Sequence, residues 1–157
     1  MMANNQSVKE TPEELRHTDE QHNQETTHKE EKDTQKTVKL IVKRQDNQEA
    51  KSYEETFEIP YKENLNVIAC LMEIRRNPVN SKGEKTTPVV WDMNCLEEVC
   101  GACSMVINGR ARQACSAIVD QLEQPIRLEP MSTFPVIRDL QVDRTRMFDN
   151  LKRMKAW

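Results

Sequence analysis

The sequence lacks several features that would define common classes of protein. It contains only three glycines in 157 residues, and we recognise no phosphate-binding loop, acid–base pair or nucleophile, so no catalytic side chain is predicted. No apolar run approaches the roughly 20 residues that span a bilayer, and no signal-peptide core follows Met1. The five cysteines are an odd number, which argues against a disulfide framework. We therefore expect a reducing compartment, no membrane span and a metal-type use of cysteine.

The first part of the chain differs in composition from the rest. Residues 1–36 carry nine acidic and five basic side chains, all three histidines and no aromatic residue. Such a segment cannot bury enough apolar surface to offset the loss of chain entropy, and we expect a disordered polar tail. Residues 37–157 then carry 18 basic and 17 acidic residues, a net charge of +1. This balance gives no electrostatic footprint for nucleic acid, so no nucleic-acid partner is expected.

Four cysteines give the clearest chemical signal. Cys95, Cys100, Cys103 and Cys115 follow the spacing Cys-x4-Cys-x2-Cys-x11-Cys, and its first part is the plant-type pattern for a 2Fe–2S cluster. Gly101 lies between two of them, where a missing Cβ lets the backbone wrap closely and direct amide donors at sulfur. A Rieske centre is excluded because it needs two histidine ligands and residues 37–157 contain none.

A hairpin explains how the fourth cysteine can reach the other three. Asn108-Gly109 is a strong two-residue turn signal, and it follows the apolar run 105–107. Counting outward from that turn places Cys103 opposite Ala114. Cys115 is therefore expected to return beside the loop that holds the other cysteines.

The remaining patterns predict a mixed fold. Alternation and helical periodicity indicate two paired strands, one helix and a late strand, at 38–43, 54–59, 67–76 and 126–128. Asn66 is the expected helix cap, and Cys70 is expected to be a core residue on the apolar face of that helix. This order of elements is typical of an α+β fold, a β-grasp domain of the 2Fe–2S ferredoxin kind, over residues 37–130.

Residues 131–157 are expected to form a linker and a helix. Residues 134–142 resemble an extended connection, and Asp143 is a candidate cap for a helix over 144–156. The apolar side chains of that helix recur at helical spacing and need a cover. Either the helix folds back on its own domain or its cover is missing from this chain.

Residues 37–157 resemble the N-terminal half of the iron–sulfur subunit of succinate dehydrogenase and fumarate reductase. The segments that carry the resemblance are 65–76, 95–109, 125–130 and 134–140. The resemblance implies a domain that docks on an FAD-containing subunit and accepts electrons from its flavin as succinate is oxidised in the tricarboxylic acid cycle. Cys95, Cys100, Cys103 and Cys115 match the family's 2Fe–2S ligands, and Cys103 stands where some members have aspartate.

The family continues into a helical domain that holds a 4Fe–4S and a 3Fe–4S cluster. No cysteine follows Cys115, so those clusters would need that absent C-terminal domain, and quinone reduction is in doubt for this polypeptide alone. We expect a truncated or split subunit whose helix 144–156 leads towards the missing domain. The implied partners are the FAD-containing flavoprotein and, through the complex, a membrane anchor subunit. The implied location is cytoplasmic, peripheral on the cytoplasmic face of the membrane.

Other functions stay open from the residues alone. A zinc site, in a non-enzymatic binding or assembly module, is possible, but only Cys100 and Cys103 have the spacing of a zinc knuckle. The small subunit of a molybdenum hydroxylase uses similar cluster spacing, although segments 65–76, 125–130 and 134–140 fit it poorly. Thiol redox chemistry at Cys100-Gly-Ala-Cys103 would leave the other two matched cysteines without a role.

Overall fold

The structure is a computed structural model that describes residues 36–156. The tail predicted for residues 1–36 lies outside the described residues, apart from Lys36. Neither helix in the described part has the length and hydrophobicity that crossing a bilayer requires.

Seven strands and two α-helices form the described part of the chain. They are β1 (Thr37–Arg44), β2 (Tyr53–Pro60), α1 (Val67–Arg76), β3 (Ser104–Ile107), β4 (Arg110–Gln113), β5 (Ile126–Glu129), β6 (Val136–Arg138), β7 (Gln141–Val142) and α2 (Thr145–Arg153). A short 3₁₀ turn, Val119–Gln121, precedes β5.

The first five strands form one mixed sheet in the order β2-β1-β5-β3-β4. β1 runs parallel to β5, whereas the β1–β2, β3–β4 and β3–β5 pairs are antiparallel. This is the α+β β-grasp arrangement that the order of sequence patterns predicted, and the paired strands at 38–43 and 54–59 are confirmed as β1 and β2.

The core lies where alternate residues of the sheet meet one face of α1. Val38, Leu40 and Val42 are buried on β1, as the alternation predicted. The apolar face of α1 joins the same buried cluster, with Leu71 and Cys70 fully enclosed. Burial raises the pKa of the Cys70 thiol to about 12, so it is a protonated core side chain, as expected.

The C-terminal stretch differs from its prediction. The connection expected to be extended over 134–142 is a small antiparallel hairpin of β6 and β7, with Asp139 at its turn in the left-handed region, φ 49°. Asp139 is completely buried and pairs with Arg44, which is equally buried at the end of β1. This pair fastens the hairpin to the main sheet.

Helix α2 begins one residue later than predicted. The Asp143 carboxylate accepts a hydrogen bond from the Thr145 N–H at 2.8 Å, and its bonds with Thr145 lower the pKa of Asp143. No side chain of α2 is buried, and Phe148 is 50% exposed. The helix therefore does not fully bury its apolar stripe on its own domain within the described residues. Its cover stays a prediction.

Candidate metal centre

The loop between α1 and β3 and the end of the β3–β4 hairpin bring the four predicted cysteines together. The Ala114 N–H donates to the Cys103 carbonyl at 3.2 Å, so the predicted register of the hairpin is confirmed. The side-chain amide of Asn66, which also caps α1, donates to the Cys115 carbonyl at 3.0 Å. The backbone on either side of the fourth cysteine is thus fixed by both the sheet and the helix cap.

The four thiols are arranged as two pairs. The Cys100 N–H donates to the Cys95 Sγ at 3.3 Å and the Cys95 N–H donates to the Cys100 Sγ at 3.5 Å, while the neighbouring Cys103 raises the pKa of the Cys115 thiol. All four are free thiols. No group of three or more His, Cys, Asp or Glu side chains within residues 36–156 is placed to hold a single metal ion. A 2Fe–2S cluster distributes four thiolates over two irons, and the observed pairs match that division.

The two pairs differ in their environment. Cys103 and Cys115 are buried, Cys95 is half-buried and Cys100 is exposed. Burial raises the pKa of the Cys115 thiol, and the neighbouring thiol of Cys103 raises it further. One side of the candidate centre therefore faces the core, and the other faces the surface.

Backbone amides of the loop point at the outer pair of sulfurs. The N–H groups of Glu97 and Cys100 donate to the Cys95 Sγ at 3.4 and 3.3 Å. The Ala102 N–H donates to the Cys100 Sγ at 3.4 Å. The hydrogen bonds from Glu97, Cys100 and Val99 lower the pKa of Cys95 to about 7. Donors of this kind stabilise thiolate sulfur, which is the form that binds iron.

Left-handed residues give the loop this shape. Leu96, Glu98 and Gly101 have φ values of 61°, 59° and 71°, and such turns direct successive N–H groups into one concavity. Glu98 is held by its neighbours, because its side chain accepts from the Ser116 hydroxyl at 2.8 Å and its carbonyl accepts from the Gln113 side chain at 3.3 Å. No pattern in the sequence indicated this role for Glu98.

Gly101 is needed in the loop because of its positive φ angle and not because another atom approaches its Cα closely. A Cβ placed on it would meet only the Ser104 Oγ at 3.8 Å, which is an ordinary contact, but φ +71° disfavours any L side chain. The prediction that glycine permits close wrapping is thus corrected, whereas the prediction of amide donors at sulfur is confirmed.

We expect Gly101→Ala to reduce stability by about 1 kcal/mol and to speed cluster loss, because the left-handed angle is strained with a Cβ. Cluster loss to an iron chelator under anaerobic conditions measures the second effect. Gly83→Ala is the matched control, since Gly83 also has positive φ, +81°, and no atom within 4 Å of its Cβ position, but it lies in another loop. Equal rates of cluster loss in the two variants would contradict the role given to Gly101.

Arg144 completes the surroundings of the loop and was not predicted. Its two terminal nitrogens donate to the carbonyls of Gly101 and Ala102, each at 3.0 Å. In the sequence Arg144 is one of several basic residues near the last helix, more than 40 positions from the loop. Only the tertiary structure distinguishes it from the others.

The mixed β-grasp sheet and the four cysteines, three in the loop and one after β4, define an iron–sulfur protein of the ferredoxin-like class. The chain belongs to the family of 2Fe-2S iron-sulfur cluster binding domains, whose model matches residues 39–149. Its cofactor is therefore a 2Fe–2S cluster, as the cysteine spacing predicted.

Two individual relatives show which iron–sulfur proteins the chain is similar to. The chain is 74% identical over 123 residues to the succinate dehydrogenase iron-sulfur subunit of Bacillus subtilis (strain 168), a match that covers 78% of this chain and 49% of that protein. It is 28% identical over 102 residues to the fumarate reductase iron-sulfur subunit of Haemophilus influenzae, covering 65% of this chain and 37% of the relative. The predicted resemblance to this group of iron–sulfur subunits is confirmed, and the chain spans less than half the length of both relatives.

A solved structure shows the same fold. A chain of the Mycobacterium smegmatis Sdh1 complex in the apo form superposes with a TM-score of 0.61 at 26% sequence identity. The match covers 75% of this chain and 46% of that one.

Proposed function

We propose that this chain is an electron-transfer iron–sulfur subunit of a succinate dehydrogenase, with Cys95, Cys100, Cys103 and Cys115 as the 2Fe–2S ligands. The observation that carries the proposal is the 74% identity to a succinate dehydrogenase iron-sulfur subunit. The two-by-two pairing of the thiols and the amide donors at Cys95 and Cys100 support the ligand set.

The protein's own residues have three roles at the cluster site: they bind the cluster, exclude water from it and stabilise its negative charge. The cluster, when bound, supplies one-electron chemistry. Cys103 and Cys115 anchor it on the buried side, where the core keeps water away from the sulfurs. Cys95 and Cys100 anchor it on the surface side, and the loop amides offset negative charge there.

The exposed side of the loop is the proposed entry for electrons. Val99 is 80% exposed and Leu96 is 45% exposed, so apolar side chains border the outer cysteines. In this proposal an FAD-containing flavoprotein subunit contacts that edge, and a membrane anchor subunit joins through the complex. The location that follows is the cytoplasmic face of the membrane. The 4Fe–4S and 3Fe–4S clusters implied by the resemblance belong, in this proposal, to the part of the relatives that the chain does not match.

The proposed domain division follows the predicted one. Residues 37–130 form the 2Fe–2S domain, and residues 131–157 lead towards a helical cluster domain in the part of the relatives that the chain does not match. The exposed apolar side chains Met147, Phe148 and Met154 on and just after α2 support this division, because they need a cover.

Anaerobic purification of the chain tests the cofactor and its ligands. We expect two irons and two sulfides per chain, visible absorption, and a rhombic EPR signal after one-electron reduction. A colourless protein with one zinc per chain would overturn the ligand proposal and favour the zinc alternative.

Mixing with the flavoprotein subunit tests the function. We expect succinate to produce the rhombic signal only when the flavoprotein is present. A loaded chain that neither binds the flavoprotein nor is reduced in its presence would contradict the succinate dehydrogenase role while leaving the cluster intact.

A further inference from the structure

Arg144 reaches the cysteine loop from the start of α2, and its contacts are specific. The Nη1 donates to the Gly101 carbonyl and the Nη2 to the Ala102 carbonyl, both at 3.0 Å. The Nε is buried and has no partner among the described residues. The guanidinium is therefore held against the loop by two parallel bonds, in a place where water does not fully solvate it.

The Gly101 carbonyl belongs to the peptide group whose N–H donates a hydrogen bond to the Cys100 sulfur. The Gly101 carbonyl and the Ala102 N–H form a single planar unit. Arg144 donates to its oxygen, and its N–H donates to the Cys100 Sγ at 3.4 Å. A charged donor on the oxygen polarises the group, so the N–H becomes a stronger donor to sulfur.

We propose that Arg144 is a positioning residue that raises the reduction potential of the 2Fe–2S cluster by polarising the 101–102 peptide against the Cys100 sulfur. The inference rests on the proposed ligand set. Reduction adds one electron, delivered in the proposed function by the flavoprotein, and so increases the negative charge at the cysteine sulfurs. A stronger N–H donor and a nearby positive charge both favour that reduced form.

Other charges near the loop do not replace this contact. Glu97 and Glu98 are exposed and carry the opposite charge. Asp143 is next to Arg144 in sequence, but its carboxylate is engaged by Thr145. Arg144 is thus the cation that touches the loop backbone in the described part of the chain.

The loop is expected to survive loss of Arg144. The Gly101 carbonyl also accepts from the Ser104 N–H at 3.1 Å, so it keeps one partner. The left-handed turns and the bonds to Glu98 do not involve Arg144. A variant at this position therefore changes the electrostatics of the centre without removing a ligand.

An EPR-monitored redox titration of the 157-residue chain tests the inference with Arg144→Gln. At the wild-type midpoint we expect the ratio of reduced to oxidised cluster to fall about tenfold, a shift of about 59 mV to more negative potential for a one-electron couple. Arg144→Lys keeps the charge but cannot contact both carbonyls in a fork, so we expect a smaller shift in the same direction.

Arg146→Gln is the matched control. Arg146 is exposed and lies two residues further on, and its side chain makes no hydrogen bond within the described residues, so its removal subtracts the same charge without the contact. A shift in Arg146→Gln as large as in Arg144→Gln would overturn the inference, as would an unchanged midpoint in Arg144→Gln.

Loss of the cluster in Arg144→Gln, or the absence of a wild-type EPR signal, also has a defined consequence for the inference. If Arg144→Gln does not retain the cluster, a lower midpoint in Arg144→Lys supports the inference and an unchanged one overturns it. A wild-type chain that shows no rhombic signal overturns the ligand proposal and this inference together. A wild-type signal with an unmoved variant midpoint overturns this inference alone.

Discussion

Cys115→Ala is expected to abolish the rhombic EPR signal and to reduce bound iron to less than about a tenth of the wild-type level. A 2Fe–2S cluster needs four thiolates, and without Cys115 one iron keeps a single protein ligand. The hairpin and the Asn66 side chain fix the backbone at this position, so the variant removes one thiol without displacing the hairpin. Iron and acid-labile sulfide per chain, with EPR after reduction, measure the loss.

Cys70→Ala is the matched control for that variant. Cys70 is completely buried on α1 and belongs to the apolar core. Its replacement removes a similar number of atoms and should cost about 1 kcal/mol of stability while leaving iron content unchanged. Full iron content in Cys115→Ala, or cluster loss in Cys70→Ala, would refute the ligand assignment.

The parts of the site that sequence could predict are those specified locally. Asn108-Gly109 determines a hairpin whose register follows by counting, and the structure has that register. The spacing of Cys95, Cys100 and Cys103 indicates a cluster loop because it is the plant-type pattern, in which three ligands lie in one short segment. Alternation on β1 and the periodicity of α1 predicted the core for the same local reason.

The parts that sequence could not predict depend on contacts between distant residues. The turn at Asp139 has no glycine or asparagine, so residues 134–142 showed no hairpin signal. Its conformation is stable because the carboxylate is bonded from β1 and from Val90. The left-handed angle of Glu98 and the contact of Arg144 with the loop depend in the same way on partners that only the fold brings close.

Asp139→Asn is expected to lower the free energy of unfolding by about 3 kcal/mol, because it removes the fully buried charge partner of a buried guanidinium. The carboxylate accepts from the Arg44 Nε at 2.9 Å, the Gln45 N–H at 3.1 Å and the Val90 N–H at 3.0 Å. Burial would lower the pKa of Arg44, but the bond and charge of Asp139 raise it above its usual value, so the guanidinium stays charged. Asparagine tolerates the left-handed angle, and the variant therefore tests charge and not backbone strain.

Urea unfolding followed by circular dichroism, at equal iron content, measures this cost. Glu54→Gln is the control, since it makes the same chemical change in an ion pair with Arg127 whose side chains are 57% and 48% exposed. Exposed pairs contribute little, and we expect a change within about 0.5 kcal/mol there. Arg44 keeps Glu55 and Thr87 as partners, which limits the loss in Asp139→Asn. If the two variants unfold at the same urea concentration, the buried pair does not hold the β6–β7 hairpin on the sheet. The hairpin also precedes Arg144 in the chain, so a loosened hairpin should lower the reduction potential as well as the stability.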